Sequence, residues 1–253
     1  MTRRRCIVAV ALLAIWAGPF AVALPALAQN ADLAGGQLSG RALVDALRRG
    51  GYVLYVRHTS TDFGQSDEGM TSFDECSKQR NLTDQGRTEA RSIGAAIARL
   101  KIPIGDVLAS PYCRTIETAR LMFGRATPSN AVRGGPAATP DPERYKELRV
   151  LMSTPVKAGA NTVISSHGNP FRAVAGTPYL AEGEIAVIEP QGDQRFRIVA
   201  RITKDGWAAL QERRAFERRA LRPVRNRSIS ERRSDPGRTG SCATGRRTRR
   251  AWY

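Results

Sequence analysis

The stretch Tyr52-Val53-Leu54-Tyr55-Val56-Arg57-His58 decides the fold. The residues before Arg57 are apolar and rich in β-branched and aromatic side chains, as is typical of a strand buried on both faces. This apolar run stops abruptly at Arg57 and His58. A second run, Thr162-Val163-Ile164-Ser165-Ser166, stops in the same way at His167 and Gly168. The chain has only two histidines. Each of them directly follows a predicted strand.

Helical and extended patterns alternate around these two strands. Helices are predicted from Ser39 to Arg49, from Thr83 to about Leu100, from Pro111 to Phe123, from Pro142 to Met152 and from near Lys204. Further strands are predicted at 106–110, 184–189 and 196–202, with a turn at Gln191-Gly192-Asp193 between the last two. Alternating strands and helices favour an α/β domain with a mostly parallel sheet.

The placement of the two histidines predicts a shared site. In open α/β sheets, ligands bind beyond the carboxyl ends of the strands. Two such ends could therefore bring His58 and His167 to one crevice. A single histidine is more often structural or solvent-exposed, but two with the same placement, one of them preceded by Arg57, favour a functional site.

The N-terminus has the three parts of a secretory signal peptide. A basic stretch from Thr2 to Arg5 precedes an apolar run from Cys6 to about Leu24. Pro25 breaks that run, and Ala26-Leu27-Ala28 places small residues before Gln29. This pattern predicts cleavage after Ala28 and a periplasmic or secreted protein. An uncleaved membrane anchor is the alternative, because the run is near the lower length limit for spanning a bilayer.

Composition divides the rest of the chain into three parts. Residues 29–40 are polar and Gly-rich and are predicted to be a linker, and residues 41–211 carry the domain pattern. Residues 212–253 contain 14 arginines, no lysine and four acidic residues, and are predicted to be a disordered basic tail. That tail supplies +10 of the net charge of +17, and Arg3-Arg4-Arg5 supplies another +3. The predicted domain is therefore only mildly basic.

The predicted export changes the interpretation of the cysteines. Removal of the signal peptide leaves Cys76, Cys113 and Cys242, of which the first two lie in the predicted domain. An oxidising compartment permits a disulfide between Cys76 and Cys113. Two unpaired thiols are the alternative, and the cysteine spacing has no metal-site pattern.

Four segments resemble the histidine phosphatase (phosphoglycerate mutase-like) superfamily, and they occur in the family's order. Arg57-His58-Thr59 resembles the Arg-His-Gly signature, and Ser166-His167-Gly168 matches the segment of the second histidine. Between them, Leu82-Thr83-Asp84-Gln85-Gly86 is similar to Leu-Thr-x-x-Gly, and the segment from Ser110-Pro111 to Thr118-Ala119 is similar to Ser-Pro-x-x-Arg-x-x-Gln-Thr-Ala. The resemblance spans residues 51 to about 202 and implies a three-layer α/β sandwich whose mostly parallel sheet is flanked by helices.

The resemblance also implies a chemistry that suits these residues. His58 would be a nucleophile that accepts a phosphoryl group without prior deprotonation of a hydroxyl. Arg57, Arg114 and His167 would hold the phosphoryl oxygens, since guanidinium groups form paired hydrogen bonds with phosphate. Such a site needs no metal and no cofactor.

The proton donor for the leaving group is not defined by the motifs. Glu143, Glu147 and Glu182 are candidates by region, and Glu182, near the strand after His167, is the preferred one. For each of them a solvated surface carboxylate is the alternative. Thr59 replaces the usual glycine of the signature, and its hydroxyl is predicted either to bind phosphate or to narrow the pocket.

We therefore expect an exported phosphatase acting on a small phosphorylated molecule. A phosphatase of protein phosphohistidine is one alternative, although its usual targets are cytosolic. A catalytically silent phosphate- or polyanion-binding protein is another, with the tail at 212–253 making weak, salt-dependent contacts with polyanions or a membrane surface. Specific nucleic-acid binding is not expected. The favoured explanation of the tail is a reading frame that runs past the family's usual end.

Overall fold

A computed structural model describes residues 37–135 and 143–211. The predicted signal peptide, most of the predicted linker and the basic tail lie outside these residues. In the part of the chain that is described, no helix is long and apolar enough to cross a membrane.

The described strands form one six-stranded sheet in the order β3-β2-β4-β1-β5-β6. The strands are β1 (Val53–Arg57), β2 (Ile104–Ala109), β3 (Thr127–Pro128), β4 (Asn161–Ser166), β5 (Ile185–Gly192) and β6 (Arg195–Ile202). Strand β1 pairs in parallel with β4, and β2 pairs in parallel with β4 and β3. The prediction of a mostly parallel sheet therefore holds for β1 to β4.

Strands β5 and β6 run antiparallel instead. Strand β5 pairs antiparallel with both β1 and β6. A parallel pair needs a crossover of about a dozen residues, whereas only Asp193 and Gln194 separate β5 from β6. Both residues have a positive φ, as tight hairpin turns require. The short turn predicted at this position thus decides the direction of the last strand.

Helices flank the sheet on both faces. They are α1 (Gly40–Arg49), α2 (Asp84–Arg99), α3 (Cys113–Phe123), α4 (Lys146–Ser153), α5 (Gly168–Ala175) and α6, which begins at residue 206 and is described to residue 211. Thr83 caps α2 as predicted, its side chain accepting a hydrogen bond from the backbone N–H of Gly86. Helix α5 is missing from the sequence-based prediction, because Gly168-Asn169-Pro170 resembles a loop although proline is compatible with a first helical turn.

Two apolar clusters, one on each face of the sheet, make the fold a three-layer sandwich. Leu54 and Val56 of β1 pack in the cluster of α1, α2 and α3, which includes Leu47 and Ile93. Val53 and Tyr55 point to the opposite face and pack with residues of α4 and α5 such as Phe171. This alternation along β1 is the buried-on-both-faces pattern that the sequence predicts, and the three-layer α/β fold is confirmed.

The contact between α2 and α3 depends on Gly94. A Cβ added there would lie 2.3 Å from the backbone oxygen of Met122, and backbone cannot move aside as a flexible side chain can. We expect Gly94→Ala to lower the free energy of unfolding by about 1–3 kcal/mol through overpacking, although alanine favours a helix by about 1 kcal/mol. Urea unfolding measures the change, with Ser92→Ala on the exposed face of α2 as the control. A Gly94→Ala protein as stable as the wild type would contradict this close approach.

Candidate active site

The ends of β1 and β4 bring the two histidines together. In the parallel pairing of these strands, Arg57 lies opposite Ser166, so His58 and His167 emerge side by side. The backbone N–H of His58 donates to the carbonyl of Ser166 at 3.0 Å, and the two imidazole centroids are 5.4 Å apart. The crevice that the sequence predicts from two strand ends therefore exists.

His58 is held as a neutral imidazole with one free nitrogen. Its Nδ1 lies 3.1 Å from the backbone carbonyl of Thr59, and because a carbonyl only accepts, Nδ1 carries the proton. The lone pair is then on Nε2. Burial, followed by the positive charge of Arg114, holds the pKa of His58 well below its ordinary value. A neutral ring with an unprotonated Nε2 is the form that can act as a nucleophile.

His167 is fixed beside it by polar groups on both sides. Its Nε2 is 2.9 Å from the hydroxyl of Ser110, which can donate to or accept from either tautomer. The hydroxyl of Tyr55 donates to the backbone carbonyl of His167 at 2.8 Å. Gly134 lies so close that a Cβ there would be 2.5 Å from the imidazole Cδ2. Burial and the charge of Arg114 also lower the pKa of His167 well below its ordinary value.

A cavity of about 440 Å³ opens over both imidazoles. Three arginines line it, Arg57 from the end of β1, Arg114 from the first turn of α3 and Arg80 from the loop between β1 and α2. Two carboxylates of that loop, Asp67 and Glu68, also line the cavity. The wall is thus rich in positive charge around the two neutral histidines.

Each arginine is held in place in a different way. Arg57 donates from Nη1 to the carbonyl of Leu180 at 2.7 Å and stacks on the ring of Tyr179, 5.1 Å from its centroid. Arg114 is almost fully buried and lies 4.5 Å from the centroid of Tyr112. Its Nη1 and Nη2 donate to the two carboxylate oxygens of Asp67 at 2.9 and 3.0 Å.

The third guanidinium, that of Arg80, lies 4.9 Å from the centroid of the exposed ring of Phe63. Within residues 37–135 and 143–211 it forms no ion pair with a carboxylate.

The Nε–H groups of these arginines form a set of unused donors. The Nε atoms of Arg57, Arg80 and Arg114 are all buried, and none has a hydrogen-bond partner among the described residues. Buried donors are almost always paired in native proteins, and each exception calls for an explanation. Guanidinium donors of this kind suit an anion with several oxygens, such as a phosphoryl group.

Comparison with known families agrees with this chemistry. The model of the histidine phosphatase superfamily (branch 1) matches residues 53–131, from β1 past β3. Over these residues, which are less than half of the chain, the sequence is similar to the histidine phosphatase superfamily. His167, directly after β4, lies beyond the matched range, and the structure supplies its position next to His58. Comparison with curated proteins gave no match.

Solved structures of low sequence identity resemble the chain. The putative phosphohistidine phosphatase SixA from Agrobacterium tumefaciens is 15% identical and aligns over 60% of this chain and 98% of its own, with a TM-score of 0.42. A mycobacterial glucosyl-3-phosphoglycerate phosphatase with inorganic phosphate is 14% identical, over 58% and 95%, with a TM-score of 0.43. Phosphoglycerate mutase from Bacillus anthracis is 11% identical, over 66% and 99%, with a TM-score of 0.44.

Glu182, the acid preferred from the sequence, lies on the Nδ1 side of His58. Its carboxylate accepts from the hydroxyl of Thr61 at 2.7 Å, and it is 3.5 Å from Nη2 of Arg57 and 3.8 Å from Nδ1 of His58. It does not line the cavity. In an in-line transfer the leaving group departs on the side of phosphorus opposite to the attacking Nε2. This placement suits a residue that orients Arg57 and His58 and does not suit an acid for the leaving group.

The other sequence-based candidates also lie away from the cavity. Glu143 begins a 3₁₀ turn, Glu143–Tyr145, and Glu147 is in the first turn of α4. Both are exposed and neither lines the cavity. Thr59 is fully buried, with its hydroxyl 3.4 Å from that of Thr118, and it does not line the cavity either. Thr59 therefore packs beneath the site, and its hydroxyl is not placed to bind phosphate as the sequence suggested.

The loop between β1 and α2 supplies site residues that the sequence did not identify. Asp67 and Arg80 both come from it, and a disulfide joins Cys76 of this loop to Cys113 at the start of α3, with the Cα atoms 5.7 Å apart. The side chain of Gln79 accepts from the backbone N–H of Cys113 at 2.9 Å. The length of this loop, between Arg57 and Asp84, is the sequence signal that could have identified these residues, since loops of this length in compact domains are often functional.

The described residues contain no group of three or more His, Cys, Asp or Glu side chains that could hold a metal ion. The site is built from arginine and histidine donors, which suit an anion.

The two neutral histidines are expected to make stability depend on pH. In the unfolded chain both take up a proton as the pH falls through about 6.5, while in the fold their lowered pKa values keep them neutral. The unfolded state then binds more protons, so the free energy of unfolding falls as the pH drops below about 6.5, by roughly 1 kcal/mol per pH unit for each histidine. Urea unfolding between pH 7 and pH 5, without phosphate, measures this slope. His58→Gln removes one histidine and is expected to reduce the slope, and an unchanged slope would contradict the burial of a neutral His58.

Proposed function

We propose that this chain is an exported phosphatase that hydrolyses a phosphomonoester through a phosphohistidine on His58. The observation that carries the proposal is the cavity over His58, where three buried guanidinium Nε–H groups have no acceptor among the described residues. A phosphoryl group offers three oxygens and a reactive phosphorus, and His58 Nε2 offers the lone pair. The similarity of residues 53–131 to the superfamily supports a phosphatase or mutase chemistry.

The first step is transfer of the phosphoryl group to His58. Nε2 attacks phosphorus in line with the departing oxygen, while Nδ1–H remains donated to the carbonyl of Thr59. Charge on the equatorial oxygens is stabilised by Arg57 and Arg114, and by an N–H of His167. Arg114 also stands in the first turn of α3, where backbone N–H groups favour an anion. The second step is attack of water on the phosphohistidine, which releases inorganic phosphate and restores neutral His58.

Export is the second part of the proposal. The signal-peptide pattern ending at Ala28 supports it. The disulfide between Cys76 and Cys113 also supports it, because such bonds persist in the periplasm and outside the cell and are rare in the cytosol. Expression of the whole chain in bacteria, followed by fractionation and N-terminal sequencing, tests this part. A product in the cytosol that begins at Met1 would overturn it.

Turnover of an aryl phosphate tests the catalytic part. The purified chain is expected to hydrolyse 4-nitrophenyl phosphate in the presence of EDTA and to release phosphate with multiple turnovers. Binding of inorganic phosphate, measured by calorimetry, is run in parallel. Binding without turnover would favour a catalytically silent phosphate-binding protein, and loss of turnover in EDTA would contradict the metal-independent mechanism.

A further inference from the structure

The carboxylate that protonates the leaving group is missing from the site as the motifs define it. We propose that Asp67 is this proton donor, an inference that rests on the proposed phosphatase function. Asp67 lines the cavity and is bound by both terminal nitrogens of Arg114, at 2.9 and 3.0 Å. Its Oδ1 also accepts from the backbone N–H of Arg80 at 2.9 Å. Of the two carboxylates that line the cavity, Asp67 is the one that pairs with a phosphate-binding guanidinium.

The geometry of Arg114 leaves room for Asp67 and a phosphoryl group together. A guanidinium has five N–H groups. Those of Nη1 are directed to Asp67 and to the carbonyl of Arg80, at 2.9 and 3.1 Å, and one of those on Nη2 is directed to Asp67. The second N–H of Nη2 and the unpaired Nε–H remain. These two form a second fork that suits phosphoryl oxygens, so a phosphoryl group bound there adjoins Asp67 without displacing it.

Arrival of the phosphoryl group also explains how Asp67 acquires a proton. A phosphate monoester brings up to two negative charges next to the carboxylate, and two anions that share one guanidinium favour uptake of a proton at the shared site. In the proposed mechanism, Asp67 takes this proton from solvent and passes it to the leaving oxygen. Once the leaving group has gone, the negative charge of the phosphohistidine still lies next to the unprotonated Asp67. Asp67 can then accept the proton of the attacking water.

With Asp67 as proton donor and then proton acceptor, the bonds and protons of both steps balance. His58 Nε2 forms the nitrogen–phosphorus bond, the bond from phosphorus to the leaving oxygen breaks, and that oxygen takes the proton of the Asp67 carboxyl group. The alcohol departs. Water then attacks phosphorus, its proton passes to the Asp67 carboxylate, and the nitrogen–phosphorus bond breaks with its electron pair returning to His58. Inorganic phosphate leaves, and Asp67 is again protonated.

The neighbouring carboxylate, Glu68, fits the role less well. It also lines the cavity, but its side chain is exposed and has no hydrogen-bond or ion-pair partner in the described parts of the chain. The side chain of Asp67 is only 30% exposed, and its carboxylate is held by three hydrogen bonds. A general acid acts best when its position is set before the substrate arrives.

The disulfide keeps Asp67 over the site. The loop that carries Asp67 is joined to the start of α3 by Cys76–Cys113, one residue before Arg114. The ring of Phe73 in the same loop packs edge-on against Tyr112, with centroids 5.1 Å apart. The loop that carries Asp67 and the start of α3, which carries Arg114, are therefore joined by a disulfide and by the packing of two rings.

The leaving group of the substrate tests the proposal. Nitrophenolate leaves without help, whereas an alkoxide leaves only when it is protonated. In the full chain, Asp67→Asn is expected to lower kcat/KM for glycerol 2-phosphate about 10²–10³-fold more than for 4-nitrophenyl phosphate. Asp67→Glu, which keeps a carboxyl group, is expected to recover part of the activity on glycerol 2-phosphate. Asp74→Asn, an exposed carboxylate of the same loop, is the matched control and is expected to change neither substrate.

The outcomes separate this inference from the proposed function. An equal loss on both substrates would mean that Asp67 only orients Arg114, and would overturn the proposal. A selective loss in Glu68→Gln rather than in Asp67→Asn would overturn it in favour of Glu68. A wild-type chain that hydrolyses neither substrate would refute the phosphatase function itself and the proton donor with it. Thermal melting of each variant shows that the differences arise in folded protein.

Discussion

Replacement of His58 by alanine is expected to abolish hydrolysis of phosphomonoesters, with a fall in kcat of about 10⁴-fold or more. Loss of a nucleophile removes the covalent route, so only binding and electrostatic stabilisation remain. His58 is 1% exposed and its Nε2 is left free by the bond from Nδ1 to Thr59. Water could not easily substitute for an imidazole fixed in this way.

The covalent intermediate gives the more direct measurement. Rapid quenching of the wild type with a ³²P-labelled substrate is expected to trap a phosphoryl group that is labile in acid and stable in alkali, as phosphohistidine is. Peptide mapping should locate it on His58, and His58→Ala should trap none. Inorganic phosphate is still expected to bind to this variant, because Arg57, Arg114 and His167 are retained. A phosphoryl group on another residue, or undiminished turnover in His58→Ala, would refute the nucleophile assignment.

The position of the two histidines was predictable because it depends on short-range patterns. An apolar, β-rich run followed by a polar residue marks where a buried strand ends, and this pattern at His58 and His167 needs no knowledge of the fold. Their closeness then follows from one general rule about the carboxyl ends of parallel strands. The same reasoning located the N-cap at Thr83 and the short turn before β6.

The contacts of the loop between β1 and α2 were not predictable in this way. Asp67 reaches Arg114, 47 residues away in sequence, and no periodicity or motif records such a pair. Arg80 lies only two residues before the motif that begins at Leu82. Its entry into the cavity nevertheless depends on how Gln79 and Cys76 pack against α3. Glu182 was identified by its position near a strand, but only the structure shows on which side of His58 it lies.

Within the site, Arg114 interacts electrostatically with both histidines and with Asp67. Burial is the largest cause of the lowered pKa of both histidines, and the charge of Arg114 is the second largest. Burial also lowers the pKa of Arg114 itself, an effect that the hydrogen bonds to Asp67 oppose. One guanidinium thus keeps the nucleophile neutral, offers donors to the phosphoryl oxygens and holds Asp67. Removal of this side chain should therefore affect both catalysis and stability.

Arg114→Met is expected to lower kcat/KM for any phosphomonoester about 10²–10³-fold, because a donor to the transition-state oxygens is lost. Arg114→Lys is expected to recover little, since an ammonium group cannot form the two forks of a guanidinium. Arg87→Met is the matched control. Arg87 also pairs with carboxylates, Glu117 at 2.7 Å and Asp84 at 3.1 Å, but it lies outside the cavity, so its loss should leave kcat/KM unchanged.

Stability separates the two roles of Arg114. Arg114→Met leaves the carboxylate of Asp67 without its partner, and because Asp67 is partly exposed we expect a loss of only about 1–2 kcal/mol in the free energy of unfolding. The double variant Arg114→Met, Asp67→Asn should regain most of that stability and none of the activity, because the unpaired charge is gone while the phosphate donors are still missing. Urea unfolding and kcat/KM of the four proteins in this cycle give both results. Recovery of activity in the double variant would mean that Asp67 merely obstructs the pocket, and that Arg114 is not needed to bind the phosphoryl group.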